Sequence, residues 1–403
     1  MTFARFQKIL VLFLLTASGF FGGWYFGKSG YIFEVRKNPP EIKILNRTPP
    51  RQSVDFDLFW EVWEIVRTQY LERPVDAKKM MYGALVGMVQ SLGDPYTSFL
   101  PPVQNETVTN AINGVYEGIG AELGMRENQL IVVSPLDGSP AKAAGVLPGD
   151  AILEIEGRST VGIALSEAVS MIRGESETTV SLTLARRGAD KPFKLSVKRG
   201  QVTVPSIVWE DKGDGVAYIR LSRFGSETNA EWSKVASEVN VNMKELDAVV
   251  LDVRGNPGGY MQAAVFIAGE FFSGKPVMYE ETSVGEQIPF ETNRVGNFNK
   301  LPVFVLIDGG SASASEILAG ALKADAGAVL VGSKSFGKGT IQDARDFDDG
   351  SGLHITIAKW LTPDKKWVHN VGLTPDVVVE SNLGDDGKTD AQLEKALELA
   401  RGI

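Results

Sequence analysis

The chain is expected to fold as a multi-domain α/β protein with a helical region near its N-terminal end. Three patterns point there. From residue 216 onward, apolar strands alternate with amphipathic helices, the order that builds a layered α/β core. Between 111 and 199 the pattern changes to short strands, glycine-rich turns and one helix. Before that, segments 55–70 and 76–92 carry helical patterns. In the second of them Met81, Leu85, Met88 and Leu92 recur every three or four positions, Asp76 can cap, and Gly93-Asp94-Pro95 stops the helix.

Taken in chain order, residues 1–30 read as a signal anchor or signal peptide. Arg5 and Lys8 precede an uncharged run over 9–27. As a helix it is about 28 Å long at roughly 1.5 Å per residue, just enough for a bilayer core of about 30 Å. The charges before it predict a cytoplasmic N-terminus and a translocated remainder, and Arg36 and Lys37 beyond it weaken that topology. Thr16-Ala17-Ser18-Gly19 offers a cleavage site, so anchor and removed signal stay unseparated; a buried core helix is the plainer alternative. Residues 31–52 form a linker, with Pro39-Pro40 and Pro49-Pro50 keeping 38–52 extended. A helical region spans 53–106 and a second domain 107–199, with strands at 130–134, 151–155 and 179–185 and helices at 141–144 and 165–172. The core spans 200–382, with strands at 216–221, 248–253, 303–307 and 328–331 and helices at 231–239, 260–272 and 314–323. Residues 383–403 end in a short helix.

Composition narrows the function classes. With 403 residues, 43% of them apolar, the chain is long enough for two or three buried cores. A net charge of −9 gives no electrostatic reason to expect nucleic acid as a partner. The absence of cysteine excludes disulfides, thiolate metal sites and a cysteine nucleophile. Only two histidines exist, His354 in an alternating strand and His369 among turn residues, and neither has the look of a triad base.

The middle domain carries two signals. Gly118, Ile119, Gly120 and Ala121 form a loop able to aim several backbone N–H groups at one point, though a simple tight turn would read the same way. The run GSPAKAAGVLPGD over 138–150, followed by AILEIEG, is more distinctive and resembles the PDZ family as found in bacterial proteases. That resemblance implies capture of an extended peptide as an added strand, its terminal carboxylate held by the amides of 118–121.

Three segments of the last domain matter together: LDVRGNPGG over 251–259, GSASASEI over 310–317, and SFGKGTIQ over 335–342. Amide hydrolysis needs a nucleophile, a base and donors for the developing oxyanion. Ser313 opens a helix, where the amide of Ala314 stands beside it; Gly258 and Gly259 open another helix with nothing to shield their backbone. Lys338, between two glycines after an apolar strand, can serve as base if burial lowers its pKa, with Gln342 able to orient it. Each piece also has a plain reading. Ser313-x-x-Glu316 is a capping box, Lys338 a surface lysine, Gly258-Gly259 a turn. The run 332–338 also matches a phosphate-binding loop up to its last position, with 248–252 as a magnesium-binding strand end; Gly339 stands where that loop needs Ser or Thr, and no amphipathic helix follows.

Together the three segments resemble the C-terminal processing peptidases, or tail-specific proteases, over 55–379. The resemblance implies a ClpP/crotonase-like serine protease core with an inserted PDZ domain. It makes Ser313 the nucleophile, Lys338 the general base, Gln342 the residue that positions the lysine, and Ala314 with Gly258 or Gly259 the oxyanion donors. Arg173, at the end of the PDZ helix, matches a position that couples docking to activation; as a solvated helix-end charge it would need no such role. The expected partners are proteins or peptides with apolar C-termini, the membrane through the N-terminal segment, and a second copy through the 55–92 helices. No metal or other cofactor is expected, and the expected location is the extracytoplasmic, periplasmic face of a bacterial inner membrane. The competing class is a membrane-anchored PDZ adaptor without turnover; a trypsin-type protease is disfavoured by domain order.

Overall fold

The computed structural model describes residues 3–28, 31–37, 40–46, 56–126, 129–136, 138–380 and 390–403. It divides into two compact units, 1–81 and 82–403.

The first unit holds a helix over Phe3–Lys28, a strand pair and the helix Asp57–Gln69. Tyr31–Lys37 pairs antiparallel with Pro40–Asn46, so part of the expected linker is a hairpin. The alternation in Glu41-Ile42-Lys43-Ile44 suits the two-residue strand period, a signal that the flanking prolines obscured. Positions 38, 39 and 47–52 of that linker lie outside the described residues. Among the described residues no helix is long and apolar enough to cross a membrane, so the single-pass anchor expected at 9–27 has no support in the structure. Thr16, Ser18 and glycines 19, 22 and 23 dilute that run. Along Asp57–Gln69 no residue is buried, and Leu58, Trp60, Val62 and Ile65 stand exposed.

In the second unit the segment 115–203 forms its own layer. Five strands run in the order Phe193–Lys198, Thr179–Ala185, Ala151–Ile155, Gln129–Pro135, Ala121–Arg126, which leaves Ala121–Arg126 at the sheet edge. Period-two alternation puts Val180, Leu182 and Leu184 fully inside, against Ile152, Ile155 and Leu130. The helix Leu165–Ile172 closes this core with Ala168 and Ile172.

The larger core is a six-stranded sheet ordered Ile207–Asp211, Val216–Leu221, Ala248–Asp252, Val303–Ile307, Val329–Gly332, Val377–Val378, parallel after the first pair. Every residue of Ala248–Asp252 and of Val303–Ile307 is buried, as continuous apolar runs in a parallel sheet covered on both faces require. Val249 and Leu251 pack with Thr228–Asn242, Met261–Ala268 and Ala314–Asp325 on one face; Val250 and Leu306 meet Ala396 and Ala400 of Ala391–Arg401 on the other. These strands and helices fall within a few residues of the expected positions. An antiparallel sheet of Gln287–Thr292, Lys275–Thr282, Gly352–Leu361 and Thr340–Asp346 was not expected apart from the strand around His354. Its presence disposes of the phosphate-loop reading, because Thr340–Asp346 is a strand where that motif needs a helix. Asp252, the would-be magnesium ligand, is committed to Arg220 and Arg254.

Candidate active site

Ser313 sits between the sheet and the helix Ala314–Asp325 with φ +54°, a region costly for any residue with a side chain. Two loops hold it there. On one side Asn256, fully buried, donates from Nδ2 to the Leu221 carbonyl (2.9 Å), while its own carbonyl accepts the Ala312 N–H (3.0 Å) and the Ser315 hydroxyl (2.9 Å). Gly258 follows at φ +101°, so close that a Cβ there would lie 2.9 Å from Cβ of Ser313. Only glycine fits this approach. The Gly258 N–H is spent on Asn256 Oδ1 (2.9 Å), and its carbonyl accepts the Phe224 N–H (3.0 Å). The N–H groups of Gly259 and Ala314 make no hydrogen bond among the described residues, so the free donors beside Ser313 are Gly259 and Ala314 rather than Gly258.

On the other side stands a contact that sequence reasoning took for a helix cap alone. Glu316 is fully buried, and its Oε2 accepts the N–H of Ser313 and of Lys338, each at 2.9 Å. Its Oε1 accepts from the Gly337 N–H (2.7 Å) and the Ser335 hydroxyl (2.6 Å). One carboxylate thus ties the serine loop to the lysine loop, and the Phe336 N–H adds a strut to the Ser311 carbonyl (3.0 Å). The lysine loop is clamped from outside by indole N–H groups: Trp360 donates to the Lys338 carbonyl and Trp367 to that of Gly339, both at 2.7 Å.

Ser313, Lys338 and Gln342 line one cleft of about 470 Å³, yet no hydrogen bond joins their side chains among the described residues. The Lys338 ammonium lies over the Tyr96 ring, 5.1 Å from its centre. Burial pushes its pKa below the ordinary lysine value, with the Asp94 charge working the other way. Gln342 donates to the Thr340 and Thr356 hydroxyls at 3.0 Å each, so it braces the strand pair instead of the amine. His354 also lines the cleft, its pKa lowered by burial; His369 stacks on Trp367 at 5.0 Å. Neither bonds to Ser313. Tyr96 went unnoticed in the sequence because the 93–95 turn read only as a helix stop; Asp94 accepts from the Tyr96 N–H and the Thr97 hydroxyl and so shapes the turn that presents the ring.

In the 115–203 layer, Gly118, Ile119 and Gly120 are buried at the entry to the edge strand Ala121–Arg126. The Ile119 carbonyl accepts from Ala141 (2.7 Å) and that of Gly120 from Leu136 (2.9 Å), which anchors the loop to the segment that carries the PDZ-like run. Arg173 ends the helix Leu165–Ile172 with its guanidinium 4.7 Å over the Tyr116 ring. Among the described residues no cluster of carboxylates and histidines is placed to hold a metal ion.

A serine on a strained turn at a helix start, two free amides beside it and a desolvated lysine across the cleft define a serine peptidase rather than a binding scaffold. Comparison with known proteins agrees. Peptidase family S41 matches residues 215–379, the PDZ domain family matches 111–185, and the activating protease CtpB N-terminal domain family matches 14–102. Carboxy-terminal processing protease CtpB of Bacillus subtilis is 37% identical over 382 residues, covering 93% of this chain and 78% of that protein. CtpA of the same organism is 37% identical over 326 residues, 81% of this chain and 69% of that one. A solved S41 protease structure from Bacteroides fragilis covers 88% of this chain and 99% of its own at a TM-score of 0.56 and 15% identity, a likeness of fold alone. The chain belongs to the carboxy-terminal processing proteases, serine peptidases of family S41 that carry a PDZ domain.

Proposed function

We propose that Ser313 is the nucleophile of this protease and Lys338 its general base. The observation that carries the reading is the Glu316 carboxylate, which holds the backbones of both residues against one cleft. Neutral Lys338 takes the Ser313 proton as Oγ attacks the scissile carbonyl. The oxyanion so formed lies against the amides of Ala314 and Gly259. The lysine ammonium gives its proton to the leaving amine, and water, deprotonated by the same lysine, releases the acyl group from Ser313.

With the Lys338 ammonium over the Tyr96 ring and no hydrogen bond from it to Ser313, the arrangement reads as a resting one. The PDZ-like layer supplies a trigger: a substrate's apolar C-terminus adds a strand along Ala121–Arg126, its carboxylate at the 118–121 loop, with Arg173 beside that loop to sense it. The gap between resting and active geometry is the one Gln342 closes, by turning from its threonine partners to the amine. The exposed aromatic helix Asp57–Gln69 suits a second copy of the chain, and the charge pattern around 9–27 suits action outside the cytoplasm, with that segment as export signal or anchor.

The test is cleavage by the full-length protein of an unfolded protein with an apolar C-terminus, offered as free acid and as amide. The acid form is expected to be cut faster, and Arg173→Ala to erase the difference; equal rates for both forms in wild type would remove the PDZ trigger.

A pH profile checks the base. Because the reaction uses the neutral amine and burial lowers the Lys338 pKa, kcat/KM is expected to rise with pH through a midpoint below the ordinary value of 10.5. A midpoint at or above that value would contradict a buried lysine base.

A further inference from the structure

Although the chain as a whole is acidic, no aspartate or glutamate lines the catalytic cleft among the described residues. Its charged groups are Lys338 and Arg223; His354 also lines it, with burial favouring its neutral form. Arg223 stands just before Phe224, whose N–H and carbonyl are bonded to Gly258 and Tyr260, so its place beside the oxyanion loop is fixed by backbone register. The half-buried guanidinium makes no ion pair among the described residues, and its Nε is buried without an acceptor. Its one hydrogen bond among the described residues is a weak one, Nη1 to the Ser222 hydroxyl at 3.5 Å, and the guanidinium packs against Gly114 at the C-terminal end of the helix Pro102–Asn113. Burial pulls its pKa down, with the charge of Glu231 opposing, and that carboxylate is bonded to the N–H and hydroxyl of Ser206. A partly desolvated cation with no carboxylate bonded to it costs stability unless something pairs with it, and a carboxylate entering the cleft would supply that partner.

We propose that Arg223 holds a carboxylate of the bound peptide inside the catalytic cleft, which makes it a specificity residue of the protease. This rests on the reading in which the cleft of Ser313 is where peptide is cut. The guanidinium offers a planar, bidentate match to a carboxylate, which the neutral amide of Gln or a blocked chain end cannot reproduce. An acidic side chain near the scissile bond and the free end of a short tail supply the same group.

The experiment uses full-length protein and peptide pairs that differ only by Glu or Gln at successive positions around the cut, each with free and with amidated ends. Wild type is expected to favour one acidic member by roughly 10- to 100-fold in kcat/KM, the range for a charge-assisted pair. Arg223→Gln brings that ratio near one and Arg223→Lys retains part of it. If the lost preference is Glu over Gln, the carboxylate is a side chain's; if it is free over amidated, it is the chain end's. A free-end preference that survives in Arg223→Gln belongs to the PDZ loop. Equal ratios in wild type and Arg223→Gln for every pair overturn the proposal. Binding of the same peptides to the Ser313→Ala protein, read by fluorescence anisotropy, reports the ratios without turnover. Cleavage that persists in Ser313→Ala beside an Arg223-dependent binding ratio would sink the nucleophile assignment and keep this one. Thermal melting completes the test: loss of the unpaired cation leaves Tm unchanged or higher, whereas a marked fall would reveal a structural partner and overturn the proposal.

Discussion

Replacing Glu316 by alanine is expected to abolish measurable proteolysis and to lower stability at once. The carboxylate is the shared acceptor for the N–H groups of Ser313, Gly337 and Lys338 and for the Ser335 hydroxyl. Each buried donor left without an acceptor costs about 1–3 kcal/mol, so several kcal/mol are at stake even if water enters the gap. The functional loss is larger. A displacement of about 1 Å between reacting groups costs on the order of a hundredfold in rate, and here both nucleophile and base lose their common tether. Glu316→Gln keeps one acceptor oxygen and should fall between wild type and alanine in both kcat and Tm. Ser313→Ala supplies the contrast, losing activity with Tm nearly unchanged. Glu316→Ala that cuts peptide within a few-fold of wild type would show that the two loops hold their places without it.

Asp252→Ala is expected to destabilise the core by about 3–5 kcal/mol, the range for removing one member of a buried ion-pair network. The carboxylate is fully buried at the end of the central strand Ala248–Asp252. It accepts from the Tyr218 hydroxyl (2.8 Å), from Arg220 (2.8 Å) and from the Arg254 N–H (2.9 Å) and guanidinium (2.7 Å). Arg254 reaches on to Asp390, the cap of the helix Ala391–Arg401. Alanine therefore takes the carboxylate from Arg220, leaves Arg254 held by Asp390 and Gln392 alone, and loosens the C-terminal helix from the sheet. Burial works to raise the Asp252 pKa, but the hydrogen bonds and charge of Arg254 with the charge of Arg220 overcome it and hold it below the usual carboxylate value. Its folded pKa being depressed, its contribution is fully present above the unfolded value and is lost as pH falls through the folded one. Denaturant melts of wild type and Asp252→Ala should therefore differ widely at neutral pH and converge in strong acid. A constant difference across that range would contradict the linkage.

Much of the site was legible before any coordinates because its pieces sit where strands hand over to helices. The buried runs ending at Asp252 and Ile307, each followed by glycine and a helix, place Gly258, Gly259 and Ser313 on one edge of a parallel sheet. What stayed hidden depends on contacts between segments far apart in the chain. Tyr96 reaches Lys338 and Arg223 reaches the cleft only through the fold, and neither has a local pattern that marks it. Glu316 was visible as a cap, but its second partner, the lysine loop, was not. The strands Lys275–Thr282 and Gln287–Thr292 escaped because they are only partly buried, so their apolar residues do not keep a clean period of two.

The most direct test is to incubate the full-length protein with an unfolded protein bearing an apolar C-terminus, trap the acyl-enzyme by acid quench, and locate it by peptide mass spectrometry. The expected result is an acyl group on Ser313 with products released from wild type, no acyl-enzyme or cleavage in Ser313→Ala or Lys338→Ala, and no effect of chelators. Cleavage that survives in Ser313→Ala, or an acyl group carried by another residue, would contradict the account.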